Sequence, residues 1–129
     1  MRLASLDIGL KRIGVALCLD NSSALPQSAI IRKNRNQAAN EVNIFVKEWK
    51  IERVIIGIAQ GGDSEEEMSK RVQHFASLLE IKDIVFFDES FSSYEAMESM
   101  KGKVKFKKDG RLDSIAAAII LERYLCHLY

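Results

Sequence analysis

Several things are scarce in this chain. Its 129 residues include one proline and seven glycines, too few for a disordered or low-complexity segment. There are two cysteines, Cys18 and Cys126, with neither CxxC spacing nor a histidine set around them, so a zinc site is not indicated. They read as two small buried or half-buried thiols, in keeping with a reducing cytoplasm. No run approaches the roughly 20 apolar residues of a membrane span, and the opening residues do not form a signal peptide. An excess of one charge is lacking as well. Nineteen Lys and Arg against eighteen Asp and Glu leave a formal net charge of +1, so any attraction to nucleic acid must be local. What remains is ordinary for a globular protein: 47% hydrophobic and 29% charged residues, and a length that suits one domain over residues 1–129.

Hydrophobic periodicity divides the chain. Leu3 to Ile8 reads as a buried strand, and after the turn Leu10-Lys11-Arg12 the apolar run Ile13 to Leu19 makes an antiparallel partner. Leu25 to Arg32 reads as a third, edge-like strand, with Pro26 suited to an edge. From Asn34 to Lys50 the period changes: Ala38, Val42, Phe45, Val46 and Trp49 fall at helical spacing. Arg53 to Ile58 is a β-branched run typical of a parallel strand covered on both faces. Ser64 and Glu67 form a capping box opening a helix to about Glu80, with the stripe Met68, Val72, Phe75, Leu78 and Leu79. Asp83 to Phe87 is the last strand. A second capping box, Ser92 and Glu95, starts a short helix to about Met100, Lys101 to Lys108 is a basic loop, and a final helix covers Leu112 to His127. The order β-β-β-α-β-α-β-α-α predicts an α/β fold: a mixed five-stranded sheet with helices on both faces. Right-handed crossovers then bring the later strands beside the first.

Three carboxylates occupy informative places. Asp7 ends the first strand, Glu89 follows the last, and Asp113 opens the final helix. Ligands of such sheets gather beyond the carboxyl ends of the parallel strands. Acids converging there repel one another unless cations lie between them. An all-oxygen set without His or Cys suits Mg²⁺ or Mn²⁺, and a pair of ions about 3.5–4 Å apart suits phosphodiester hydrolysis. Each acid also has a plainer reading: turn chemistry for Asp7, a solvated loop for Glu89 or its neighbour Asp88, a helix cap for Asp113. Alternation puts Val85, Phe87 and Glu89 on one face and Ile84, Phe86 and Asp88 on the other, which leaves both acids open.

Four ordered blocks carry a resemblance. Leu6-Asp7-Ile8-Gly9-Leu10-Lys11-Arg12-Ile13-Gly14-Val15-Ala16 resembles the opening motif of the YqgF/RuvX family of Holliday-junction-resolvase-like proteins. Val54-Ile55-Ile56-Gly57-Ile58 is similar to that family's second-unit strand. Asp88-Glu89-Ser90-Phe91-Ser92-Ser93-Tyr94-Glu95-Ala96 is similar to its Asp-Glu-Arg-x-Ser/Thr-Thr-x-x-Ala block, and Leu112-Asp113-Ser114-Ile115-Ala116-Ala117-Ala118-Ile119-Ile120-Leu121 to its closing Asp-x-x-Ala-Ala helix. The resemblance spans almost the whole chain. It implies a ribonuclease H-like fold, a cytoplasmic bacterial protein, and a nuclease that matures the 5′ end of precursor 16S ribosomal RNA. The family's older label implies junction DNA instead. It maps the acid triad to Asp7, Glu89 and Asp113, as ligands of Mg²⁺ or Mn²⁺. Two positions depart from the pattern: Ala59 replaces a usual Pro, and Ser90 a usual Arg, which bears on substrate grip more than on metal binding.

Basic residues cluster near these acids. Lys101, Lys103, Lys105, Lys107, Lys108 and Arg111 fall in a stretch whose one acid is Asp109. With Lys11 and Arg12 at the hairpin tip, they are candidate phosphate contacts that would bind without reading sequence. Phe106 could stack on a base, and Asp109 is a candidate fourth oxygen ligand. Two other readings stand beside the nuclease: a fragment of an actin-like ATPase, whose phosphate loop shares the Asp-x-Gly hairpin, and a non-catalytic RNA-binding factor. Monomer and homodimer are both open.

Overall fold

A computed structural model describes residues 1–9, 11–20, 23–58, 65–88 and 111–128. Five strands and three helices are described: β1 (Leu3–Ile8), β2 (Arg12–Cys18), β3 (Leu25–Ile31), α1 (Arg35–Trp49), β4 (Arg53–Ile58), α2 (Glu65–Ser77), β5 (Ile84–Asp88) and α3 (Arg111–Leu128). The strands form one sheet in the order β3-β2-β1-β4-β5. β1 pairs antiparallel with β2 and parallel with β4, and β5 is parallel to β4. The expected mixed five-stranded sheet is therefore present, with element bounds within a few residues of those read from periodicity. The Ser64 capping position, the helix expected after Ser92 and the loop Lys101–Lys108 lie outside the described residues.

Strand alternation sorts the apolar residues to two faces. Ala4, Leu6, Ile8, Ile13, Val15, Val54 and Ile56 pack with Ala38, Ala39 and Val42 of α1, with Val72, Phe75 and Ala76 of α2, and with Leu79 just past its end. Leu3, Ala16, Cys18 and Ile55 pack on the other face against Ala117, Ala118, Ile120, Leu121, Tyr124 and Leu125 of α3. The large side chains among these are buried, so truncating one to Ala costs about 2–5 kcal/mol.

α1 is bounded by chemistry that the sequence carries. Asn34 Oδ1 accepts from the Gln37 N–H at 2.8 Å, and Gln37 Oε1 accepts from the Asn34 N–H at 3.3 Å, a reciprocal cap. At the other end Lys50 turns left-handed (φ 53°), and its N–H bonds back to the last turn. Two details differ from expectation. Trp49 is exposed rather than part of the stripe, because the stripe ends at Val46 and the ring leans on Phe45 at the helix margin, 6.4 Å between centroids. Cys126 is exposed, whereas Cys18 is buried. The polar side of α3 begins there, as Glu122 does one turn earlier.

Candidate active site

Asp7 and Asp113 are far apart in sequence and are brought together by α3. Leu3, Ser5 and Asp7 share the α3 face of β1. The buried Ser5 hydroxyl donates to the Ala117 carbonyl at 2.6 Å. Stepping two residues along the strand, about 6.7 Å, reaches Asp7. Stepping one turn back along the helix, about 6 Å, reaches Asp113. The two steps are nearly equal, so the acids lie side by side at the strand end.

A second constraint fixes the distance of the helix from the sheet. Gly14 stands directly opposite Asp7 in the β1–β2 register. A Cβ added to Gly14 would lie 1.9 Å from the Asp113 carbonyl oxygen, 2.2 Å from its carbon and 2.8 Å from Ser114 N. The first turn of α3 therefore occupies the space of a side chain that Gly14 does not have. Ser114, Ala116, Ala117 and Ala118 are small and buried, which permits this approach. The Ser114 hydroxyl accepts from the Val15 N–H at 3.2 Å. At this level β3 carries one extra residue between Gln27 and Ile30, so the β2–β3 register shifts.

The hairpin tip adds cations. Arg12 Nε donates to Asp113 Oδ2 at 2.9 Å, with both side chains about one-third exposed (31% each). Such a pair contributes about 1 kcal/mol or less in solvent. Gly9 N–H bonds to the Arg12 carbonyl at 3.0 Å, and a Cβ at Gly9 would sit 2.7 Å from that oxygen. Lys11 is exposed beside it. Arg32, at the end of β3, closes the turn from the other side. Its Nη1 donates to the Gly9 carbonyl at 2.9 Å, its N–H donates to the Lys11 carbonyl at 2.8 Å, and its guanidinium lies 5.6 Å from the Phe75 ring centroid. Burial, and then the charges of Arg35 and Arg71, lower its pKa from the ordinary arginine value.

Of the residues singled out from sequence, the structure thus unites Asp7, Asp113 and Arg12, with Lys11 adjacent. Glu89, Asp109, Lys101, Lys103, Lys105, Lys107 and Lys108, and the side chain of Arg111, lie outside the described residues. Among the described residues no group of three or more His, Cys, Asp or Glu side chains could hold a metal ion. Sequence reading missed Arg32, which looks like any strand-end cation until its carbonyl partners are known. It also missed Ser5, for which a polar residue at an inward-facing strand position was the available signal. The wide apolar groove between Pro26 and the Ile115–Ile119–Cys126 side of α3 has neither acid in its wall.

The sheet order, the antiparallel hairpin and the helix docked over the strand-end acid define a ribonuclease H-like fold. Two solved structures share this fold. The fowlpox virus resolvase in complex with Holliday junction DNA superposes with a TM-score of 0.57 at 17% identity, covering 99% of each chain. Thermus thermophilus RuvC in complex with a Holliday junction substrate gives 0.56 at 10% identity, covering 99% of this chain and 96% of that one. More specifically, the chain belongs to the RuvX family, described as Holliday junction resolvase, whose model matches residues 1–127. A relative from Sulfurovum sp. is 56% identical over 126 residues, 97% of this chain and 98% of its own. One from Campylobacter jejuni subsp. doylei is 55% identical over 129 residues, 99% of each. Both are provisionally named pre-16S rRNA nucleases. No helix among the described residues is long and apolar enough to cross a membrane.

Proposed function

We propose that this chain is a divalent-metal-dependent nuclease that hydrolyses phosphodiester bonds in structured RNA, with the 5′ end of precursor 16S rRNA as its substrate. The observation that carries this reading is the docking of Asp113 over Gly14, directly beside Asp7, at the end of β1. The relatives' names and their high identity favour RNA over junction DNA.

Asp7 and Asp113 would hold Mg²⁺ or Mn²⁺, with Glu89 as the third carboxylate, and their all-oxygen donor set fits a hard cation. Such ions, as a pair, supply the Lewis acidity for phosphodiester hydrolysis. The register supports Glu89 over Asp88. Val85 and Phe87 pack on the α3 face, the face of Asp7, while Ile84 packs on the other, so the odd-numbered parity read from the sequence is the one that matches Asp7. The remaining work falls to cations. Lys11 at the hairpin tip and the basic run Lys101, Lys103, Lys105, Lys107, Lys108 and Arg111 would bind backbone phosphates without reading bases. The protein would act in the cytoplasm, where precursor rRNA is found.

The deciding experiment incubates pure protein with precursor 16S RNA and with a four-way DNA junction, in Mg²⁺ or Mn²⁺, beside Asp7→Asn. Trimming of the RNA by the wild type alone is expected. Preferred cutting of the junction would make it a resolvase, and binding without cleavage a non-catalytic RNA-binding factor.

A further inference from the structure

Arg12 is placed where two roles conflict. It starts β2 at the hairpin tip, next to the exposed Lys11, where a guanidinium could reach a nucleic-acid backbone. In the structure its Nε instead bonds Asp113 Oδ2 at 2.9 Å. Asp113 lies in the first turn of α3, an end of the helix where the dipole favours an anion. A divalent cation and a guanidinium on the same carboxylate oxygen repel each other and compete for its lone pairs. The backbone around Arg12 is pinned by Gly9 and Arg32, and Asp113 is pinned by its contact with Gly14. The partner with the longer rotatable reach is the one-third-exposed arginine side chain.

We propose that Arg12 is a positioning residue that holds Asp113 in the absence of substrate and exchanges it for a backbone phosphate when nucleic acid binds, freeing the carboxylate for the metal. This rests on the reading of Asp113 as a metal ligand. Because binding linkage is reciprocal, nucleic acid then raises metal affinity and metal raises nucleic-acid affinity by the same factor. The protein would load its ions mainly on substrate, with Arg12 as the coupling element.

The test measures Mn²⁺ affinity of the full chain by calorimetry in wild type, Arg12→Gln, Arg12→Met and Asp113→Asn. Affinity for a 5′-fluorescent RNA hairpin is measured by anisotropy in EDTA across a salt series. An ion pair whose side chains are one-third exposed limits the competition to about a two- to fivefold effect. Mn²⁺ should therefore bind about two- to fivefold more tightly to both Arg12 variants than to wild type. RNA should bind more weakly to them, with the slope of log affinity against log salt flatter by about 0.7–0.9. A pair that merely anchors α3 to the hairpin predicts the opposite: unchanged or weaker Mn²⁺ binding in the variants, with a lowered Tm. That result, with Mn²⁺ binding still lost in Asp113→Asn, would overturn the exchange and leave the metal site standing. Mn²⁺ binding that survives in Asp113→Asn would overturn the metal site itself, and the exchange with it.

Discussion

Gly14→Ala is the substitution from which the packing of the site can be worked out most fully. The new methyl would lie 1.9 Å from the Asp113 carbonyl oxygen, while ordinary contact begins near 3.4 Å, so the first turn of α3 must retreat by about 1.5 Å. All three colliding atoms are backbone, and no side-chain rotation relieves them. A retreat of that size lengthens the Val15–Ser114 hydrogen bond from 3.2 Å to beyond 4 Å. The Val15 N–H is then left buried without its partner, which costs about 1–3 kcal/mol. Overpacking adds about 1–3 kcal/mol. Since relaxation shares the two, the expected net loss is about 2–4 kcal/mol, or a Tm drop of roughly 6–16 °C for a chain of this length. Urea denaturation and a thermal melt measure it directly. The same retreat carries Asp113 away from Asp7, so nuclease activity should fall at temperatures where the variant is still folded. A Gly14→Ala protein within about 0.5 kcal/mol of wild type, and equally active, would refute the argument that α3 occupies the missing side chain's place.

Glu89→Gln should be inactive and Asp88→Asn substantially active in the same cleavage assay; the reverse would show that the wrong neighbour was chosen. Replacing Lys105, Lys107 and Lys108 together with Ala should weaken all nucleic acids about equally and flatten the salt slope by about 0.7–0.9 for each phosphate no longer neutralised. Turnover at saturating substrate should change little, and an unchanged slope would mean that these lysines do not touch phosphate. Lys50→Gly relieves a left-handed residue at the α1 C-cap and should stabilise by about 0.5–1 kcal/mol, read as a higher urea midpoint; a lower midpoint would mean that the Lys50 side chain contributes more than its backbone costs.

Much of the fold was legible because the local patterns agree with the tertiary solution. Ala4, Leu6 and Ile8 alternate with Leu3, Ser5 and Asp7, and both sets are required where two helical layers cover the strand. The Asn34–Gln37 cap marks the start of α1 in plain residue types. Trp49 and Cys126 were harder, since helical spacing gives the direction of a side chain but not where the covering layer ends.

The sequence by itself determined the order of the described strands and helices and the family, and it singled out the acids proposed as hard-metal ligands, because each of these is written in residue type and spacing. Only the tertiary structure decided how Asp113 meets Asp7. That meeting depends on a helix reaching the sheet at Gly14, on Ser5 and Ser114 setting its register, and on Arg12 facing Asp113 instead of solvent. These contacts join residues about a hundred positions apart. No local period encodes them, because they arise from how closely two separately formed surfaces can pack.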